Sequence, residues 1–279
     1  MSITVSTSAL IDILGDALQT ASNTVGGVHL ATHRAPYKDE PGDVDLLCAT
    51  STTKYVLGHT WIPADGRLTA AVWPVESVKT VKAICESLKK KSKEHTVDID
   101  MAMAEPPEDA KTDEHPGWTV TLSETPTLFD SDTEFQFHAH HESKFPINGV
   151  HRMLTGATQP IDDYEETPLT MWSAIVLAPL VAVARGRGMP MRFFRSPVRR
   201  LQVVQIGDTW LGAAVPTTPV PGDASDEPTI EPVLGSDAEL AAALKEMAAN
   251  GITVSVSNPQ GEWGKVISDA ADKLNAGAE

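Results

Sequence analysis

Two cysteines in 279 residues, Cys48 and Cys85, are too few and too far apart for a disulfide framework or a cysteine-based zinc site. No stretch approaches the roughly 18 uninterrupted apolar residues of a membrane-spanning helix. The opening Met1-Ser-Ile-Thr-Val-Ser has no basic segment leading into an apolar one, so no secretory leader is expected. A reducing cytoplasm and no membrane partner are the expectations. Nucleotide-binding and hydrolase signatures are missing too: Gly186-Arg187-Gly188 is too short to cradle phosphates, and no Gly-x-Ser-x-Gly elbow occurs. With no catalytic constellation in view, the chain is expected to be no enzyme and to need no cofactor.

Positive charge is also scarce, and what there is sits in two places. Lys and Arg number 22 against 38 Asp and Glu, a formal net charge of −16. One basic window, Glu76 to Lys93, holds Lys79, Lys82, Lys89, Lys90, Lys91 and Lys93. The other, Arg185 to Arg200, holds Arg185, Arg187, Arg192, Arg195, Arg199 and Arg200 with no acid among them. An acidic body with confined basic strips suits a protein that meets a polyanion through one surface and repels it elsewhere. Solvated helix ends and loops are the plainer reading of such runs.

Periodicity predicts a strand at Ile3 to Val5, then a helix from Ala9 capped by Ser8, with Leu10, Ile13, Leu14, Ala17 and Leu18 on its buried face. Strands are expected at Val28–His33, Val44–Thr50, Lys54–Pro63 and Arg67–Trp73. Pro74 opens a second amphipathic helix whose exposed face carries the lysines. Thr96–Met103, Trp118–Leu122 and Thr133–His141 read as three more strands. A short helix over Val150–Thr155 and an apolar helix over Leu169–Ala184 follow, the latter kinked or divided by Pro179. Met191–Arg195, Leu201–Ile206 and Trp210–Val215 then repeat the helix-plus-three-strands plan of Val75 to His141. The fold class is α+β: antiparallel sheet with helices on one face. The expected divisions are a first domain over 1–142, a shortened second domain over 143–217, a linker over 218–235 and an acidic helix-strand-helix appendage over 236–279.

Chemistry-bearing clusters are few. His138 and His140 would point the same way from one strand, as a two-ligand metal site needs, but no third ligand lies at motif spacing. The paired acids Asp162-Asp163 and Glu165-Glu166 read as a solvent-facing loop. The tryptophans sit in strand and helix contexts, as core or interface residues.

The opening Ile3-Thr-Val-Ser-Thr-Ser-Ala-Leu-Ile-Asp-Ile-Leu, the passage Val44 to Val56 with Leu46-Leu-Cys-Ala-Thr-Ser51, and the run Leu201 to Pro216 together resemble the DNA sliding clamps. The resemblance covers about Met1 to Thr217. Clamps carry a similar Leu-x-Leu-x-Ala-Thr-Asp passage; here Ser51 stands where the Asp would be. Further departures are Asp12 and Asp16 on a first helix without a base, the short second domain and the acidic appendage. The resemblance implies two clamp-like domains whose helices present Lys and Arg to duplex DNA without reading sequence. Lys79, Lys82, Lys89, Lys90, Lys93, Arg185 and Arg187 would contact phosphate. It also implies a DNA polymerase or other replication protein as partner, docked by a short peptide near Val215-Pro216. A homo-oligomer is expected, with a trimer favoured because six such domains close a ring. An acidic regulatory module binding a basic protein, and a metal enzyme using the histidine strand, are the competing readings.

Overall fold

The computed structural model describes residues 2–38, 40–90, 94–105, 115–125, 134–156, 171–195 and 201–217. These all fall within one compact unit, Met1–Ala224. Lys93, the expected linker and the expected appendage lie outside the described residues.

The chain begins with β1 (Ser2–Ser6), α1 (Thr7–Thr20), β2 (Val28–Pro36), β3 (Asp43–Thr52), β4 (Val56–Pro63), the two-residue β5 (Asp65–Gly66) and β6 (Ala71–Trp73). Then come α2 (Val75–Lys89), β7 (Thr96–Met103), β8 (Trp118–Glu124), β9 (Glu134–His141) and α3 (Ile147–Gly156). The last described elements are α4 (Ala174–Arg187), β10 (Met191–Arg195), β11 (Gln202–Ile206) and β12 (Trp210–Ala214). The strands form one sheet in the order β10-β11-β12-β4-β3-β2-β6-β9-β8-β7-β1-β5. Every pairing in it is antiparallel. The first part of β9 pairs with β8 and its end, His140–His141, with β6, which joins the two halves of the sheet.

Alternation along the strands assigns the two faces. Leu47 and Ala49 of β3, Val97 and Ile99 of β7 and Val120 and Leu122 of β8 join Leu10, Ile13, Leu14 and Ala17 of α1 and Val78, Val81 and Cys85 of α2 in the largest core. A second core on the same face seats Val176, Leu180 and Val183 of α4 on Val204, Ile206 and the fully buried Trp210. The alternate residues Leu57, Val72, Val203 and Ala213 point the other way and are covered by Phe145 and by Val150 and Leu154 of α3. Helices α1, α2 and α4 therefore share one face, and α3 lies on the opposite one.

Most expected elements stand where periodicity put them, and the differences have local causes. Helix α1 starts two residues early, at Thr7 rather than Ala9: His95 accepts from the Thr7 backbone N–H at 2.9 Å and meets its hydroxyl at 2.9 Å, tying down the first turn. The strand expected from Arg67 shrinks to Ala71–Trp73, because the Arg67 and Leu68 backbone N–H groups bond Ser2 and the Thr32 hydroxyl instead. Pro179 sits inside an undivided α4. Proline has no N–H to offer the Ile175 carbonyl four residues back, and Ile175 lies on the exposed side of the helix, 78% exposed. Ser51, in the place of the clamp aspartate, is fully buried. Its hydroxyl donates to the Ala17 carbonyl at 2.8 Å and meets Thr20 Oγ1 at 2.6 Å, so it fastens the C-terminal end of α1 to β3. Ser51→Ala leaves those groups unpaired and should lower unfolding stability by about 1–3 kcal/mol in urea titrations; an unchanged midpoint would show the clasp to be idle.

On the α3 side, His29, Thr50 and His59 form one cross-strand row. Thr50 Oγ1 meets His59 Nδ1 at 2.8 Å, and the His29 ring lies against Phe145. Burial, then repulsion from His151 and His33, lowers both His29 and His59 to about 4. Their folded pKa values lie below the unfolded one, so stability is complete above about pH 6.5 and falls as pH drops toward 4. At pH 5 the loss should be about 2 kcal/mol for each histidine. Denaturant midpoints at pH 7 and pH 5 check this; equal midpoints would mean the pair is not buried neutral.

Candidate nucleic-acid interface

Helix α2 separates its residues cleanly. Val75, Val78, Val81, Cys85 and Leu88 are buried, leaving Lys79, Lys82, Glu86, Lys89 and Lys90 as a stripe on the outer side of the helical layer. Lys79 Nζ donates to Glu76 at 2.8 Å, and Lys82 pairs with Glu86. Lys82 also lies close against Gly15 of α1. Lys89 and Lys90 are exposed at the C-terminal end of α2, where cations also suit the helix dipole. Glu86 is exposed, and Lys82 holds its carboxyl below the ordinary carboxylate range.

Helix α1 packs between α2 and α4. Arg185 is exposed on α4. Arg187 is not at the surface in the same sense: its Nε and Nη2 donate to Asp16 Oδ2 at 2.8 and 2.7 Å. Nη2 also reaches Thr60 Oγ1 at 2.8 Å, and Nη1 reaches Thr209 Oγ1 at 2.9 Å. The side chains of Arg187 and Asp16 are 19% and 8% exposed. Burial raises the Asp16 carboxyl above its usual range, and Arg187 offsets only part of that rise. One guanidinium thus ties α4 to α1, β4 and the turn before β12. Nothing in local sequence pairs residues 171 positions apart; the one available sign is an acid flanking the buried stripe of α1.

The same network answers one departure noted from sequence. Of the two acids on α1, Asp16 is neutralised internally by Arg187, and Asp12 is left on a groove of about 680 Å³ that Gln19, Lys82 and Asp208 also line. The structure therefore brings Lys79, Lys82, Lys89 and Lys90 together on one helix, sets Arg185 across α1 from them, and places Arg187 in the packing beneath.

On the opposite face, α3, β4 and the end of β12 enclose a pocket of about 180 Å³. Leu57, Val150, Ala213 and Val215 line it, with Tyr55 (60% exposed) and Met153 at its mouth. Val215 is the neighbourhood expected from sequence; Tyr55 and Met153 were not, because the pocket forms only when α3 folds over the sheet. The His138 and His140 rings lie 5.6 Å apart, and among the described residues no group of three or more metal-ligating side chains converges. Among the described residues, no helix is long and apolar enough to cross a membrane.

No protein-family profile matches the chain, and no curated protein does. Solved structures do. The chain is similar to Caulobacter crescentus pol III beta at 11% identity and a TM-score of 0.50, covering 90% of this chain and 75% of that one. It is similar to the beta subunit from the DNA polymerase of Streptococcus pyogenes at 8% identity and a TM-score of 0.50, covering 88% and 73%. At such identities the likeness is one of fold, and the fold is that of the DNA sliding clamps.

Proposed function

We propose that this protein is a sliding-clamp-like processivity or scaffold factor that holds duplex DNA without reading its sequence. The observation that carries the reading is the lysine stripe of α2 on the helical face of an otherwise acidic protein. Lys79, Lys82, Lys89, Lys90 and Arg185 contact phosphates, with Lys93 continuing the strip by its place in the sequence. Arg187 serves the same surface indirectly, by fixing α4 beside α1 and neutralising Asp16. Phosphate contacts of this kind give weak, salt-sensitive binding that permits sliding. Nothing in this task requires a catalytic group, metal or cofactor.

The pocket beside Val215 takes a short segment of a DNA polymerase or other replication protein, through apolar side chains entering between Tyr55 and Met153. The protein works in the cytoplasm as a homo-oligomer, with a trimer favoured. The test is duplex affinity against salt for two unrelated sequences. Equal affinities that fall steeply with salt support the reading; no salt-dependent binding at all removes it.

A further inference from the structure

The histidine pair of β9 lies away from the lysine stripe. Phe135, Phe137 and Ala139 alternate toward the helical side of the sheet, where they join or pack against the largest core. His138 and His140 therefore point to the other side, the one that carries α3. His138 is exposed and His140 half-buried. Their rings stand 5.6 Å apart, with 73° between the planes. Two imidazoles sharing one zinc ion at a tetrahedral angle, with bonds of about 2.0–2.1 Å, hold their ring centres roughly 5.2 Å apart. A small rotation of either side chain brings the pair to that spacing.

The strand beneath them is held on both sides. β8 sets His138 opposite Thr119, and β6 takes over at the end, setting His140 opposite Val72. Beside His138 stands Gly117, whose φ of +86° suits glycine. A side chain there would begin 2.9 Å from His138 Nε2 and 2.8 Å from its Cε1, so the bare glycine leaves the imidazole its place. Burial, then His138 and Lys144, lowers His140, which keeps its ring in the neutral form that binds a metal. The Lys144 ammonium also opposes a second cation and limits the affinity. The neighbouring pair, His115 and His141, is built differently. Its rings stack at 4.2 Å, and each Nδ1 already accepts a backbone N–H, from Gly117 and Ser143. Stacked rings set their nitrogens side by side, not toward one point.

We propose that His138 and His140 chelate one divalent transition-metal ion on the α3 side of the sheet. Imidazole suits zinc, copper and nickel, whereas magnesium and calcium take oxygen donors. Two protein ligands leave the remaining positions to water, so the site is an open one. It stands on β9 and its neighbours alone and needs no DNA.

The test titrates Zn²⁺ into tag-free, full-length protein while the histidine ring resonances are followed by NMR. One ion should bind per chain and shift the rings of His138 and His140 before any others. His138→Gln and His140→Gln, each checked for folding by its thermal transition, should weaken binding at least about 30-fold. The double variant should abolish it. His115→Gln, which takes a histidine from the neighbouring pair, should leave the affinity unchanged, and Mg²⁺ should not compete. Equal weakening by His115→Gln, several ions bound with like affinity, or no saturation in millimolar Zn²⁺ would mean an adventitious ion only and overturn the proposal. The ring shifts of the parent need no variant: first shifts at histidines other than His138 and His140 would overturn it as well.

Discussion

Arg187→Ala is expected to lower unfolding stability by about 3–5 kcal/mol, because it strands the Asp16 carboxylate in the packing between α1 and α4. Two charge-assisted hydrogen bonds to Asp16 and two bonds to threonine hydroxyls disappear together. For a domain of this size the melting temperature should drop on the order of 10 °C. Removing the charge from both partners, with Arg187→Met and Asp16→Asn in one chain, should recover most of the loss, since no buried charge is then left alone. At a temperature where the single variant is still folded, its duplex affinity should equal the parent's. A stability within about 1 kcal/mol of the parent, below the range for breaking a buried pair, would mean that Arg187 is not interior. A large fall in affinity with stability intact would return it to the phosphate-binding set.

Reversing Lys79, Lys82, Lys89 and Lys90 to glutamate is expected to do the converse. All four side chains are on the solvent side of α2, so thermal stability should move little, by no more than about 0.5 kcal/mol per site. Duplex affinity should fall by at least about 100-fold at low salt, and the slope of log affinity against log salt should shrink by about 3 to 4. Within the set the contributions differ. Lys79 and Lys82 already have acidic neighbours in Glu76 and Glu86, which DNA must displace. Lys89 and Lys90 should therefore account for the larger part. Affinity unchanged by all four reversals would refute the assignment of α2 to DNA.

How much of this was legible beforehand varies with the range of the interaction. The stripe Val75, Val78, Val81, Cys85 and Leu88 repeats at helical spacing, so α2 and its lysine face were readable from sequence, and the strands Thr96–Met103 and Met191–Arg195 fall where alternation put them. The fold family was readable from three passages that match in pattern more than identity. What escaped is long-range. The Arg187–Asp16 tie, the Ser51 clasp on α1 and the pairing of β12 with β4 each join residues far apart in the chain. Their local signals are those of an ordinary surface arginine, a turn serine and a closing strand. The pocket is hidden for the same reason, since Tyr55 and Val215 read as the ends of two strands until α3 brings Met153 over them.

The most direct measurement of the central claim is retention on a linear duplex whose ends are either left open or blocked with a bulky protein after binding at low salt. Raising the salt weakens the phosphate contacts, and only a topological link then holds the protein in place. The account predicts that the protein stays on the end-blocked duplex and is lost from the open one. Equal release from both would contradict it.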